Sequence, residues 1–104
     1  MILNVNHVGF SVKNIEDSLF FWIQALGGKL LREGKMSGPI IDEVTGARGA
    51  DVRMALLELA DVRIELLQYN NIEQPEEPSA PYIPGYAHLA FNVEDLDTLL
   101  GKVL

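Results

Sequence analysis

One pattern is written twice in this chain. NHVGFSVKNIEDSL, from Asn6 to Leu19, returns as AHLAFNVEDLDTLL, from Ala87 to Leu100. In that alignment His7 falls on His88, Phe10 on Phe91, Val12 on Val93, Ile15 on Leu96, Glu16 on Asp97 and Leu19 on Leu100. His7 and His88 are the only 2 histidines of the protein. Strand alternation, capping residue and helix start recur in the same order, which marks a duplicated supersecondary unit. Any fold for this chain must accommodate two copies of strand-then-helix, the second of which stops soon after its helix begins.

In the first copy, Ile2 to Val12 alternates as a strand. Asn6, Val8, Phe10 and Val12 face the core, while Val5, His7, Gly9 and Ser11 face the other way. Asn14 caps a helix whose first turn carries Glu16 and Asp17, where carboxylates suit the helix dipole. Ile15, Leu19, Trp22, Ile23 and Leu26 recur at helical spacing, with Phe20, Phe21 and Trp22 expected in the core. Gly27 is the expected stop, in the left-handed position. Gly28 to Lys35 reads as a second strand. Ser37 to Gly49 reads as a surface connection with one helical turn at Ile40 to Val44.

Val52 to Leu59 and Val62 to Tyr69 read as a hairpin turning at Ala60-Asp61. Along the second of these strands Val62, Ile64 and Leu66 face one side, and Arg63, Glu65, Leu67 and Tyr69 the other. Asn70 to Pro84 holds Pro75, Pro78, Pro81 and Pro84, all but one of the 5 prolines, and is expected to be an extended connection. Gly85 to Val93 is then a strand with Ala87, Leu89, Phe91 and Val93 inward and Tyr86, His88, Ala90 and Asn92 outward. Asp95 caps the second helix, in which Leu96, Leu99, Leu100 and Val103 form an apolar stripe. This order is α+β, not the strict alternation of a doubly wound parallel sheet.

Composition removes several function classes. The 104 residues amount to one domain. With 0 cysteines there is no disulfide framework, thiolate nucleophile or zinc-thiolate site. The 15 acidic and 8 basic residues leave a net charge of −7 with the bases scattered, which argues against a nucleic acid partner. No apolar run approaches a membrane span, and MILNVNHV has neither a basic region nor a signal-peptide core, so a cytoplasmic location is expected.

The chemistry sits on strand parity. His7, Glu65 and His88 each fall on the outward face of a different strand. Two imidazoles and a carboxylate suit Zn, Ni, Co, Fe or Mn, with positions left for water or substrate. Parity alone leaves open a blander reading: solvated strand residues, with Glu65 paired to Arg63 or Arg53.

The opening NHVGFSVKNIEDSLFFWIQALGG, the strand RIELLQY and the restart GYAHLAFNVEDLD, in this order and spacing, resemble the vicinal oxygen chelate superfamily. That family includes glyoxalase I, methylmalonyl-CoA epimerase, extradiol dioxygenases, and fosfomycin- and bleomycin-resistance proteins. The resemblance implies paired βαβββ modules forming a cup-shaped sheet around a metal. It divides the single domain into a first module at 1–69, a linker at 70–84 and the start of a second, incomplete module at 85–104. His7, Glu65 and His88 match family metal-ligand positions. The fourth ligand of glyoxalase-like members would lie roughly forty residues past Leu104.

The activity implied is a metal-dependent lyase or isomerase of the glyoxalase or epimerase type. A small α-carbonyl substrate would pass through a metal-stabilised enolate, with Glu65 the only candidate proton shuttle. Asp42, Glu43 and Tyr69 are further pocket candidates. The competing classes are a bleomycin-resistance-like binding protein without catalysis, and an inactive truncated module. A homodimer is expected, with elements exchanged between copies to finish the sheet.

Overall fold

The structure is a computed structural model and describes residues 1–74 and 80–104. Four strands, β1 (Val8–Ser11), β2 (Lys29–Met36), β3 (Asp51–Leu59) and β4 (Val62–Asn70), form one mixed sheet in the order β1-β4-β3-β2. β1 runs parallel to β4, and the other pairings are antiparallel. α1 (Ile15–Leu19) continues as a π-helical segment at Phe20–Ala25, and α2 (Pro39–Thr45) and α3 (Leu96–Val103) complete the set. The architecture is α+β, a βαβββ unit with α2 inserted between β2 and β3.

α1 starts where its cap is. Asn14 Oδ1 accepts from the Asp17 amide at 3.0 Å, and the Ile15 amide donates to Gln68 Oε1 on β4 at 2.7 Å. Ile15 and Leu19 then bury against Ala55, Leu57, Ile64 and Leu66, the core on this face of the sheet. Burial of each such aliphatic side chain is worth about 1.5–3 kcal/mol. Gly27 closes the helix at φ 82°, as its place in the sequence predicts.

The helix departs from expectation in its second half. The Leu26 amide donates to the Phe21 carbonyl, a bond one residue longer than an α-turn. The wider turn rotates the apolar stripe, so Phe20 and Phe21 are not core: they are 69% and 41% exposed. Trp22 alone points inward, stacked on Phe10 at 6.5 Å and met edge-on by Phe91 at 6.4 Å. Phe10 and Phe91 are equivalent positions of the repeat, so the two copies meet through Trp22.

Two strands expected from the pattern are shorter or absent. The first spans only Val8–Ser11, because its partner β4 begins at Val62 and Val8 already pairs with Ile64. Residues 1–5 therefore overhang the hairpin end, with no strand beside them among the described residues. Gly85 to Val93 forms no strand, since no strand among the described residues lies alongside it. Turn bonds from the Ile83 amide to Ala80 and from the Tyr86 amide to Ile83 introduce it. Leu89 and Phe91 still pack on the main core, as their parity predicts, whereas Ala87 and Val93 are exposed. Pro75 and Pro78 of the expected connection lie outside the described residues.

Among the described residues, the other face of the sheet is covered at one end only. Met36, Val52, Leu67 and Tyr69 meet Ile41 of α2 and Ala47 and Ala50 of the loop after it. The segment between β2 and β3 thus packs as a cap on the sheet, more than a surface connection. The opposite end of the same face, where Glu65 lies, has no such cap among the described residues.

Candidate metal centre

Residues paired across a sheet share a face. Gly9 pairs with Glu65, Glu65 with Leu56, and Leu56 with Arg32, so one row of side-chain positions crosses all four strands at the uncovered end. Gly9 contributes no side chain to that row. A Cβ placed on it would stand 3.9 Å from Glu65 Oε1, so the carboxylate occupies the room the glycine leaves.

His7 directly precedes β1 and joins Glu65 from the strand's entry. Its Nε2 lies 3.7 Å from Glu65 Oε1, with the two side chains 39% and 19% exposed. His7 Nδ1 donates to Asn6 Oδ1 at 2.7 Å. An amide oxygen only accepts, so in the neutral ring Nδ1 carries the proton and the Nε2 lone pair is turned towards the carboxylate. At 3.7 Å the two acceptors form no hydrogen bond. The separation is of the order that two donors at about 2.0–2.2 Å from a shared cation subtend. The pair could supply two donors to a divalent metal, with Asn6 in the place of the outer partner that ligating histidines commonly use.

The arginines expected as partners of Glu65 are engaged elsewhere. Arg53 lies on the helix-bearing face and reaches Glu16 of α1 at 2.6 Å. Arg63 approaches Glu58 at 4.0 Å. His88 is not brought to the pair: it is exposed, and no group of three His, Cys, Asp or Glu side chains among the described residues is placed to hold a metal. Tyr69 belongs to the capped end, and Asp42 Oδ1 accepts from the Gly49 amide, fastening the α2 loop. A cavity of about 620 Å³ opens beside His7, lined by Asn4, Asn6, Glu58, Arg63 and Leu89 among others. Asn6, expected on the core face, is exposed beside His7, and neither it nor Gly9 is among the site residues the sequence predicts; the signals were the position of Asn6 next to His7 and of Gly9 on the same strand face.

Among the described residues no helix is long and apolar enough to cross a membrane. The metallothiol transferase FosB of Staphylococcus epidermidis is 29% identical over 97 residues, 93% of this chain and 54% of FosB, so the chain spans about half the length of that relative. A glyoxalase family protein from Bacillus cereus superposes with a TM-score of 0.82 at 23% identity, covering 98% of this chain and 70% of the other. The fosfomycin resistance protein FosX from Mesorhizobium loti gives 0.62 at 18% identity, covering 99% and 69%. These two likenesses establish the glyoxalase fold. Residues 4–103 match the family described as the Glyoxalase/Bleomycin resistance protein/Dioxygenase superfamily, and the chain belongs to it.

Proposed function

We propose that His7, Glu65 and His88 hold a divalent metal and that the site acts on a small α-carbonyl substrate, as a lyase or isomerase of the glyoxalase or epimerase type. The observation that carries this reading is the His7 Nε2 to Glu65 Oε1 approach at 3.7 Å on the uncovered end of the sheet. The name of FosB, a metallothiol transferase, supports a metal. When bound, the cation supplies Lewis acidity to a substrate oxygen on which negative charge develops. Asn6 keeps the His7 lone pair aimed, Glu65 takes and returns the proton next to the carbonyl, and the α2 cap keeps water from the far end of the face. His88 supplies the second imidazole, on the strength of its equivalence to His7 in the repeat. The first module at 1–69 and the restart at 85–104 divide the labour accordingly.

A second reading is favoured by the exposed position of His88: the same face binds a small molecule without catalysis. Both readings are of a cytoplasmic homodimer. The exposed Met1, Ile2, Leu3 and Val5 beside the free edge of β1 support pairing between copies.

Metal content of the purified chain, measured by plasma mass spectrometry, tests the proposal. Near-stoichiometric metal in the parent, lost in His7→Ala, Glu65→Ala and His88→Ala, is the expected result. No uptake of Zn, Ni, Co, Fe or Mn sinks the metal reading and leaves the binding one. Loss in the first two variants alone removes His88 from the site.

A further inference from the structure

The side of the row opposite Glu65 ends in a cation, placed there by an irregularity in β2. The register between β2 and β3 shifts between Leu30 and Arg32: Leu30 pairs with Leu57, Arg32 with Leu56, and Leu31 is the extra residue. Regular alternation from Leu30 would set Leu31 over Leu56 and send Arg32 to the helix-bearing face. The bulge reverses this, and bulges next to functional sites commonly re-aim one side chain in this way. Arg32, Gly34 and Met36 therefore share the face of Glu65. Met36 confirms the parity by packing with Val52 at the capped end.

The space between is open and the charge is unusual for this protein. A Cβ on Gly34 would meet nothing within 4 Å, and Gly9 adds no side chain of its own beside Glu65. Leu56 forms an apolar floor between the two ends. Although 15 acids oppose 8 bases in the chain, three of the bases, Lys29, Arg32 and Arg63, stand at this end of the face. Glu58 engages Arg63 at 4.0 Å, while Lys29 and Arg32 make no ion pair among the described residues.

We propose that Arg32 receives an anionic group of the substrate, a carboxylate, phosphate or phosphonate, while His7 and Glu65 attend to its other end. The proposal deepens the metal-site reading and rests on it for the second anchor. The guanidinium fork matches a planar or tetrahedral oxyanion with two parallel hydrogen bonds. Two strand spacings, about 10 Å, separate the main chains at Glu65 and Arg32. The substrate is therefore compact, with oxygen donors at one end and the anion at the other.

Titration calorimetry of methylphosphonate into the full chain, with and without Zn, provides the test, using the neutral dimethyl ester as control. Binding of methylphosphonate but not of the ester is expected, weakened about tenfold or more in Arg32→Gln and partly kept in Arg32→Lys. Lys35→Gln lies on the opposite face and should bind as the parent does. Unchanged melting temperatures show that the variants fold. Equal affinity in the parent and Arg32→Gln, or no binding in either state, overturns the proposal. Zn uptake with anion binding that ignores Arg32 overturns it while leaving the metal site. Anion binding that depends on Arg32 without uptake of Zn, or of Ni, Co, Fe or Mn in its place, retains it and sinks the metal reading instead.

Discussion

Gly9 faces Glu65 directly across the parallel β1–β4 pair, and the nearest atoms a Cβ there would meet are Leu67 Cδ1 at 3.8 Å and Glu65 Oε1 at 3.9 Å. Both are ordinary contact distances, so Gly9→Ala should leave fold and site intact. Gly9→Leu places a branched side chain where the carboxylate turns towards His7. It should lower metal affinity at least about tenfold while the melting temperature moves by only a few degrees, because position 9 is exposed and its backbone pairing is kept. Calorimetric metal titration beside thermal unfolding separates the two effects.

Gly28 is needed for a different reason. A Cβ on it would stand 2.9 Å from the Trp22 carbonyl oxygen and 3.2 Å from Leu57 Cδ1. The first is backbone at the helix end and cannot swing aside, and Gly28 itself donates to that oxygen at 2.9 Å. Gly28→Ala should cost about 1–3 kcal/mol, the usual range for forced overpacking. Urea unfolding with an unchanged slope would establish it, and a loss below about 0.5 kcal/mol would show that the helix end yields.

The β3–β4 hairpin turns on two left-handed residues, Ala60 at φ 51° and Asp61 at φ 63°. A two-residue turn of this kind matches the twist of the strands but favours Asn-Gly over Ala-Asp. The strands' pairing from Leu59–Val62 to Asp51–Asn70 outweighs the local preference. Asp61→Gly should therefore raise stability by about 1 kcal/mol. An unchanged or lower urea midpoint would mean that unfolded-chain entropy cancels the relief.

These three sites differ in how far they can be read from the chain itself. Ala60-Asp61 lies between two alternating runs, so the hairpin and its facing residues are legible, and with them the parity of Glu65. Asn14, Asp95 and Gly27 announce the helix ends by chemistry that is local to each. The π-turn at Phe20–Ala25 is not announced, because FFWIQA supports either helical pitch and packing of Trp22 between Phe10 and Phe91 selects the wider one. The bulge at Leu31 is equally silent, since KLLREGKM holds no proline or turn residue at that point. It is set by the register of β3, a long-range pairing. Strand propensity at Gly85 to Val93 is real but needs a partner strand, so the place of His88 depends on contacts that the repeat does not specify.

The start of α3 lowers the titration of its own capping carboxylate, Asp95. The Thr98 hydroxyl donates to Asp95 Oδ2 at 2.7 Å, and the Thr98 amide donates to Oδ1 at 3.1 Å. The hydroxyl bond first, then the amide, hold the carboxyl below its ordinary value of 3.8. A depressed value in the folded state means that the unfolded chain binds the proton more tightly. The cap's contribution to α3 is therefore present above 3.8 and is lost as pH falls through the lowered value. Amide hydrogen exchange in Leu96–Val103 should accelerate over that acid window, after correction for the intrinsic rate. Thr98→Ala should bring the Asp95 carboxyl back towards its ordinary value in an NMR titration. Asp95→Asn keeps a capping oxygen without a titratable proton, so its α3 protection should be flat across the same window. Equal acid sensitivity in Asp95→Asn and the parent would assign the effect to another carboxylate.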